Sequence, residues 1–96
     1  MDEPGSQALE EVRANIDALD RQIVKLIAAR QQCVVRAVGM KRTVDAVRAP
    51  ARVEQVIEQV RSLAVAAGAS PTVVEETYRA LIAAFIDLEL STHEDR

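Results

Sequence analysis

The longest uninterrupted apolar pattern in the chain occupies its first half. Apolar side chains recur there at intervals of three and four residues, the spacing of one face of an α-helix. No proline interrupts the pattern, and Gly39 lies near its end. The pattern predicts one helix over residues 8–42, about 50 Å long at about 1.5 Å per residue. The apolar positions are Leu9, Val12, Ile16, Leu19, Ile23, Leu26, Cys33, Ala37 and Met40.

A helix of this length is too long for a compact domain built by this chain alone. A folded domain of 96 residues has a radius of gyration of only about 12–13 Å. The helix extends beyond such a domain and leaves apolar surface in water unless another chain covers it. We therefore expect a homodimer.

Two shorter helices are predicted in the second half. The segment "TVDAVRAP" is predicted to be a loop and ends in Pro50, a helix-start signal. The next helix is predicted over 51–67, with Gly68 as its C-terminal stop. Ser70 can cap the third helix, which has Pro71 at its first position and is predicted over 71–91. Its inner face comprises Val74, Tyr78, Leu81, Ile82, Phe85, Ile86 and Glu89.

The predicted fold class is all-α, with one long helix and two shorter helices in each chain of a homodimer. Three glycines and three prolines in 96 residues favour helices. We expect a disordered N-terminal tail over 1–7, a helical domain over 8–92 and a frayed C-terminus over 93–96.

Composition excludes several function classes. The net charge of −3 comes without a block of like charges, so neither a nucleic-acid partner nor a membrane partner is expected. The N-terminus lacks the regions of a signal peptide, and one cysteine forms no intrachain disulfide, so we expect a cytoplasmic protein. One histidine and one cysteine do not make a zinc or iron site, and no Gly-rich phosphate loop is present. We expect no metal and no cofactor.

Two cations occupy unusual positions on the long helix. Arg30 interrupts the apolar face, and Lys41 follows eleven residues later. Eleven helical steps return to the same face within about 20°, about 16 Å along the axis. The two side chains could clamp a small dianion; alternatively, Arg30 snorkels or pairs with an acid, and Lys41 interacts with the helix C-terminus. Small apolar residues lie between them: Val34, Ala37 and Val38.

Two further arginines are candidates for the same ligand. Arg52 falls in the first turn of the second helix, where a cation is mildly unfavourable, so it has either a functional role or an acidic partner such as Glu54 or Glu58. Arg13 lies seventeen residues before Arg30, about 25 Å away along the helix. Arg13 is thus either an ordinary surface arginine or a residue that reaches the ligand across an antiparallel dimer.

Glu89 shares the inner face of the third helix with Ile82 and Ile86. A carboxylate there can neutralise one of the arginines. Alternatively, it is protonated and donates a hydrogen bond inside an apolar pocket. The residues alone leave both readings open.

The order and spacing of these charged residues resemble those of the all-helical chorismate mutases and the related isochorismate-pyruvate lyases. The motif "RANIDALD" adds to the resemblance, which covers residues 9–91. The matching residues are Arg13, Arg30, Lys41, Arg52 and Glu89.

The resemblance implies an intertwined homodimer with two active sites, each binding a chorismate-like dicarboxylate. Arg13 of one chain would join Arg30, Lys41, Arg52 and Glu89 of the other. The implied activity is an isomerase of the shikimate pathway in aromatic amino acid biosynthesis, with Lys41, Glu89 and Arg30 as catalytic residues. The expected pocket lining is Val34, Val38, Val56, Ile82, Phe85 and Ile86.

This chain also departs from the family pattern. Most relatives carry glutamine where this chain has Glu89. Many mutases place an acid directly after the second-helix arginine, whereas this chain has Val53, and its loop "VRAPARV" is more similar to the lyase branch. Lyase action on isochorismate and a mutase acting on 4-amino-4-deoxychorismate are therefore alternative functions. A helical dimeric interaction module is the non-enzyme alternative.

Overall fold

The computed structural model describes the backbone of residues 4–94 and the side chains of residues 5–92. Four helices follow one another, and no strand occurs in that range: α1 Pro4–Val38, α2 Val44–Arg48, α3 Pro50–Ala67 and α4 Pro71–Glu94. The predicted all-α class is confirmed, with one long helix and two shorter ones. The five-residue helix α2 lies within the segment that was predicted to be a loop.

Helix α1 begins earlier and ends earlier than the sequence pattern predicts. It starts at Pro4, so residues 4–7, predicted as part of a disordered tail, are helical; residues 1–3 lie outside the described range. A proline is well suited to a first helical position because its missing N–H has no intrahelical partner there.

The end of α1 at Val38 corrects the predicted end at residue 42. The last turn tightens, with Met40 N–H donating to Ala37 O at 3.0 Å and Lys41 N–H donating to Val38 O at 3.2 Å. Glycine weakens a helix by about 1 kcal/mol relative to alanine, and Gly39 follows Val38 directly. The chain therefore leaves the helix before Lys41.

The C-terminal boundary also differs from the prediction. Helix α4 runs to Glu94, so residues 93 and 94, predicted to fray, have helical backbone. Residues 95 and 96 of the predicted frayed end lie outside the described range.

The chain divides into two compact units, Met1–Cys33 and Val34–Arg96. The described part of the first unit consists of α1 alone. Its apolar face is 49–69% exposed at six positions. These positions are Leu9, Val12, Ile16, Leu19, Ile23 and Leu26.

The second unit contains a buried core, because α2 and α3 both pack against α4. The core side chains are each less than 9% exposed and come from every helix of this unit. Val47 of α2 is among the most deeply buried, at 2% exposed, which explains why the predicted loop is instead ordered as a helix. The others are Val38, Ile57, Val60, Ala64, Ile82 and Phe85.

The junction between α2 and α3 is a single residue, Ala49. Its φ of 37° and ψ of 62° are left-handed, a conformation that costs an L-residue free energy. Ala49 serves both helices: its N–H donates to Asp45 O at 2.9 Å, and its carbonyl accepts from Val53 N–H at 3.0 Å. This arrangement directs α3 away from α2 within one residue.

Charged side chains join the outer surfaces of α3 and α4. Arg79 donates to both carboxylate oxygens of Glu54 at 2.9 Å and to Glu75 at 2.8 Å. Arg61 donates to Glu75 at 2.8 Å. Hydrogen bonds from Arg79 lower the pKa of Glu54 and of Glu75, with Arg61 adding to the effect on Glu75. The same contacts raise the pKa of Arg79.

Within residues 4–94, none of the helices combines the length and apolarity that a membrane span requires.

Candidate functional site

The second unit contains one buried charged residue among those described, Glu89, whose side chain is 8% exposed. Its Oε2 accepts a hydrogen bond from Lys41 Nζ at 2.7 Å. Lys41 is 27% exposed and lies in the segment between α1 and α2. The loop that follows α1 thus brings a cation to the inner face of α4.

The position of Glu89 follows from the helical period of α4. Ile82 and Phe85, seven and four residues earlier, are 8% and 6% exposed and mark the buried face of that helix. A buried carboxylate needs a charged or hydrogen-bonding partner to offset its lost hydration. Lys41 supplies that partner. The prediction that Glu89 faces the interior is confirmed, and its carboxylate pairs with Lys41.

The geometry that led to Lys41 as a candidate was wrong. A helix continuing to residue 42 would place Lys41 on the same helical face as Arg30, eleven residues away. Because α1 ends at Val38, Lys41 is not on that helix, and counting helical steps does not fix its direction. Its contact with Glu89 comes from the path of the segment after α1.

Arg52 is exposed in the first turns of α3. Its Nη1 donates to Gln55 Oε1 at 2.7 Å. No carboxylate of the described residues lies within ion-pair distance of Arg52; Glu54, one of the partners considered from sequence, pairs with Arg79 instead. Among the described residues, no carboxylate therefore balances the charge of this guanidinium.

Arg13 and Arg30 both belong to the first unit. Arg13 is exposed, and Arg30 is half-buried. Both lie on α1, so their separation of seventeen residues corresponds to about 25 Å along the axis. Within one chain, these two arginines cannot contact the same small ligand.

The six residues expected to line a pocket differ in burial. Val38, Ile82 and Phe85 are buried. Val34, Val56 and Ile86 are half-buried and so keep surface that a ligand or another chain can contact.

Sequence reasoning missed Gln55 as the partner of Arg52 and missed the ion pairs that join α3 to α4. The pairing of Arg52 with Gln55 has a local signal, because residues three apart on a helix lie side by side. The contact of Arg79 with Glu54 spans 25 positions and has no such signal.

A further surface feature lies on α3 and includes Gln55, the partner of Arg52. A groove on α3 is lined by Gln55, Glu58, Gln59, Ser62 and Leu63, and none of the predicted ligand-contacting residues lines it. Within the described part of the chain, no three His, Cys, Asp or Glu side chains are grouped so that they could hold a metal ion.

The family model for chorismate mutase type II matches residues 12–90. That range includes Arg13 at its beginning and Glu89 at its end. No curated protein and no solved structure gives a significant match to the chain.

Proposed function

Because the chain belongs to the chorismate mutase type II family, we propose that it is an isomerase that converts chorismate to prephenate. The observation that carries the proposal is the buried contact of Lys41 with Glu89, at 2.7 Å. It places two hydrogen-bonding groups, one from the segment after α1 and one from α4, beside the apolar face of α4, where a partly polar substrate can displace their mutual contact.

The charges of the predicted site suit this substrate. Chorismate carries two carboxylates and an enol-pyruvyl ether, so it needs cations for binding and donors near the ether oxygen. We assign the carboxylates to Arg13, Arg30 and Arg52, since a guanidinium can bind a carboxylate with two parallel hydrogen bonds.

The reaction itself requires little chemistry from the protein. The ether C–O bond breaks while a C–C bond forms between the enol-pyruvyl methylene carbon and the ring, within one molecule. No proton, electron or group is transferred to the protein. Catalysis consists of holding the reactive conformer and stabilising negative charge on the ether oxygen.

Lys41 and Glu89 are the proposed donors to that oxygen. The ammonium group of Lys41 has three N–H donors, of which one is used by Glu89. Glu89 can donate only when it is protonated. The pair therefore supplies both donors when Glu89 carries a proton and Lys41 remains charged.

We also propose that the site is completed by a second copy of the chain. The support is the apolar face of α1, from Leu9 to Leu26, which is about half exposed or more. A second α1 packed against it would cover this surface. The separation of Arg13 from Arg30 adds support, because a partner's Arg13 could reach a ligand that the chain's own Arg13 cannot share with Arg30.

Isochorismate-pyruvate lyase activity is the second candidate. The residue after Arg52 is Val53, which is half-buried, whereas many mutases carry an acid there. An isochorismate molecule also presents two carboxylates and an enol-pyruvyl ether, so the same cations would bind it. A mutase acting on 4-amino-4-deoxychorismate would use the same groups.

The test is to offer purified protein each of the three substrates separately and to compare kcat/KM. The proposal predicts the highest value for chorismate. A higher value for isochorismate would replace the mutase assignment with the lyase one.

A helical interaction module predicts a different result. None of the three substrates would be converted, and none would raise the unfolding midpoint, since only a ligand that binds the folded state stabilises it. An Arg30→Ala variant is the control: a midpoint shift that depends on Arg30 supports a site for dicarboxylates.

A further inference from the structure

We infer that Gln55 is a positioning residue for Arg52, holding its guanidinium in place by a hydrogen bond without neutralising its charge. The inference rests on the proposed function, in which Arg52 binds a carboxylate of the substrate. It adds a residue of α3 to the site for which the family resemblance gave no role.

The local geometry supports this role. Gln55 lies three residues after Arg52, so the two side chains project from neighbouring points of one helix surface. The distance from Arg52 Nη1 to Gln55 Oε1 is 2.7 Å. Both residues are exposed. A long arginine side chain loses considerable conformational entropy when it binds a ligand, and a partner that restricts it beforehand reduces that loss.

A comparison with the other paired cations of the second unit shows what is special about this contact. Arg61, Arg79 and Lys41 each donate to a carboxylate. Arg52 donates to a neutral amide. The first three cations are balanced by carboxylates of the same unit, whereas no carboxylate of the described residues lies within ion-pair distance of Arg52.

The chemistry of the guanidinium allows Arg52 to bind a ligand while it contacts Gln55. Arginine has five N–H donors in a planar fork, and this contact uses one on Nη1. Enough donors remain for a bidentate contact with a carboxylate. A glutamate at position 55 would accept the same hydrogen bond but would compete with the substrate for the positive charge.

The test compares two variants of Gln55. Gln55→Met keeps the length of the side chain and removes the acceptor, while Gln55→Glu keeps the acceptor and adds a charge. Exposed contacts of this kind change affinity modestly, so we expect KM to rise about twofold in Gln55→Met and about fivefold in Gln55→Glu. We expect kcat to change little, because the lost contact is one of binding.

Gln59→Met and Gln59→Glu are the matched controls. Gln59 is exposed on the same helix, one turn further along, so these variants repeat the change in side chain and in net charge away from Arg52. Their KM should stay at the wild-type value. The thermal midpoint of all four variants should match the wild type, since position 55 and position 59 are both exposed.

The dependence on Arg52 completes the experiment. In an Arg52→Ala background, adding Gln55→Glu should leave KM unchanged, because the group that Gln55 positions is absent. An unchanged KM in both single Gln55 variants, with an active wild type, would overturn the inference and leave the proposed function standing. Failure of the wild type to convert any of the three substrates would overturn the proposed function and the inference together.

Discussion

Helix α1 in the first unit and the α3–α4 pair in the second unit carry the same kind of apolar periodicity, but they bury it very differently. Leu19 on α1 is 55% exposed, whereas Ile57 on α3 is 4% exposed. Periodicity specifies that a segment is helical and which face is apolar. It does not specify whether the covering surface comes from the same chain.

The charged residues follow the same division. In the second unit, Lys41, Arg61 and Arg79 each pair with a carboxylate of the same unit. The two arginines of α1 that resemble family residues, Arg13 and Arg30, are too far apart along the helix to serve one ligand together. In the proposed site the first unit would supply Arg13 and Arg30, while the second unit contains the Lys41–Glu89 pair.

The largest effect on activity is expected when Lys41 of the second unit or Arg13 of the first unit loses its positive charge. Lys41→Gln keeps a donor for Glu89 and removes the positive charge that would stabilise the ether oxygen. We expect kcat/KM to fall by about 10²–10³-fold, the usual effect of removing one preorganised electrostatic donor. Arg13→Gln should have a comparable effect from the other region.

Arg42→Gln is the control for Lys41→Gln, because Arg42 is the exposed neighbour of Lys41 and loses the same charge. Its kcat/KM should remain near the wild-type value. Equal losses in both variants would mean that net charge, rather than the position of Lys41, determines activity.

The packing of α3 against α4 can be tested by measuring the stability of variants. Ile57→Ala removes a buried side chain from the second unit and should lower the free energy of unfolding by about 2–5 kcal/mol. Val65→Ala, on the same helix but 68% exposed, should change it by less than about 0.5 kcal/mol. Urea unfolding of both variants measures the difference. Similar losses in the two would contradict the packing of α3 against α4.

A third prediction concerns Glu89, the carboxylate that pairs with Lys41. A carboxyl group at position 89 can donate to the ether oxygen only in its neutral form, so kcat/KM of the wild type should fall as the pH rises. Glu89→Gln keeps an N–H donor at every pH, so its profile should be flatter. The profiles of kcat/KM against pH for the two proteins test this; the same decline in both would show that Glu89 does not control the rate.

How much the sequence predicts depends on the range of the interactions. The three longer helices, the inward face of Glu89 and the choice of five charged candidates come from local periodicity, capping and the family resemblance, whereas α2 was predicted to be a loop. The end of α1 at Val38 depends on a tightened last turn. The pairing of Lys41 with Glu89, 48 positions apart, depends on packing of the segment after α1. No local pattern encodes such a contact.

The smallest effect is expected at the ion pairs between α3 and α4. The pKa values of Glu54 and Glu75 are lowered from an ordinary value of 4.5 by hydrogen bonds from Arg79. A carboxylate whose pKa is lowered in the folded state stabilises the protein when the pH is above the ordinary pKa. That stabilisation is lost as the pH falls through the lowered pKa.

The midpoint temperature of thermal unfolding of the wild-type protein should therefore decrease slightly when the pH falls below about 4.5. The midpoint of the double variant Glu54→Gln with Glu75→Gln should decrease less over the same pH range. Glu58→Gln, a change of an exposed acid on α3, should behave like the wild type. A double variant with the wild-type dependence on pH would show that these pairs contribute nothing to stability.

In the proposed homodimer two polypeptides together form each site, and mixing two inactive variants tests this arrangement. Homodimers of Arg13→Gln and of Lys41→Gln should each be nearly inactive. After they are unfolded together and refolded, half of the dimers should be mixed. Each mixed dimer has one intact site, so about a quarter of the wild-type activity should return. Activity that stays at the level of the separate variants after mixing would contradict this arrangement.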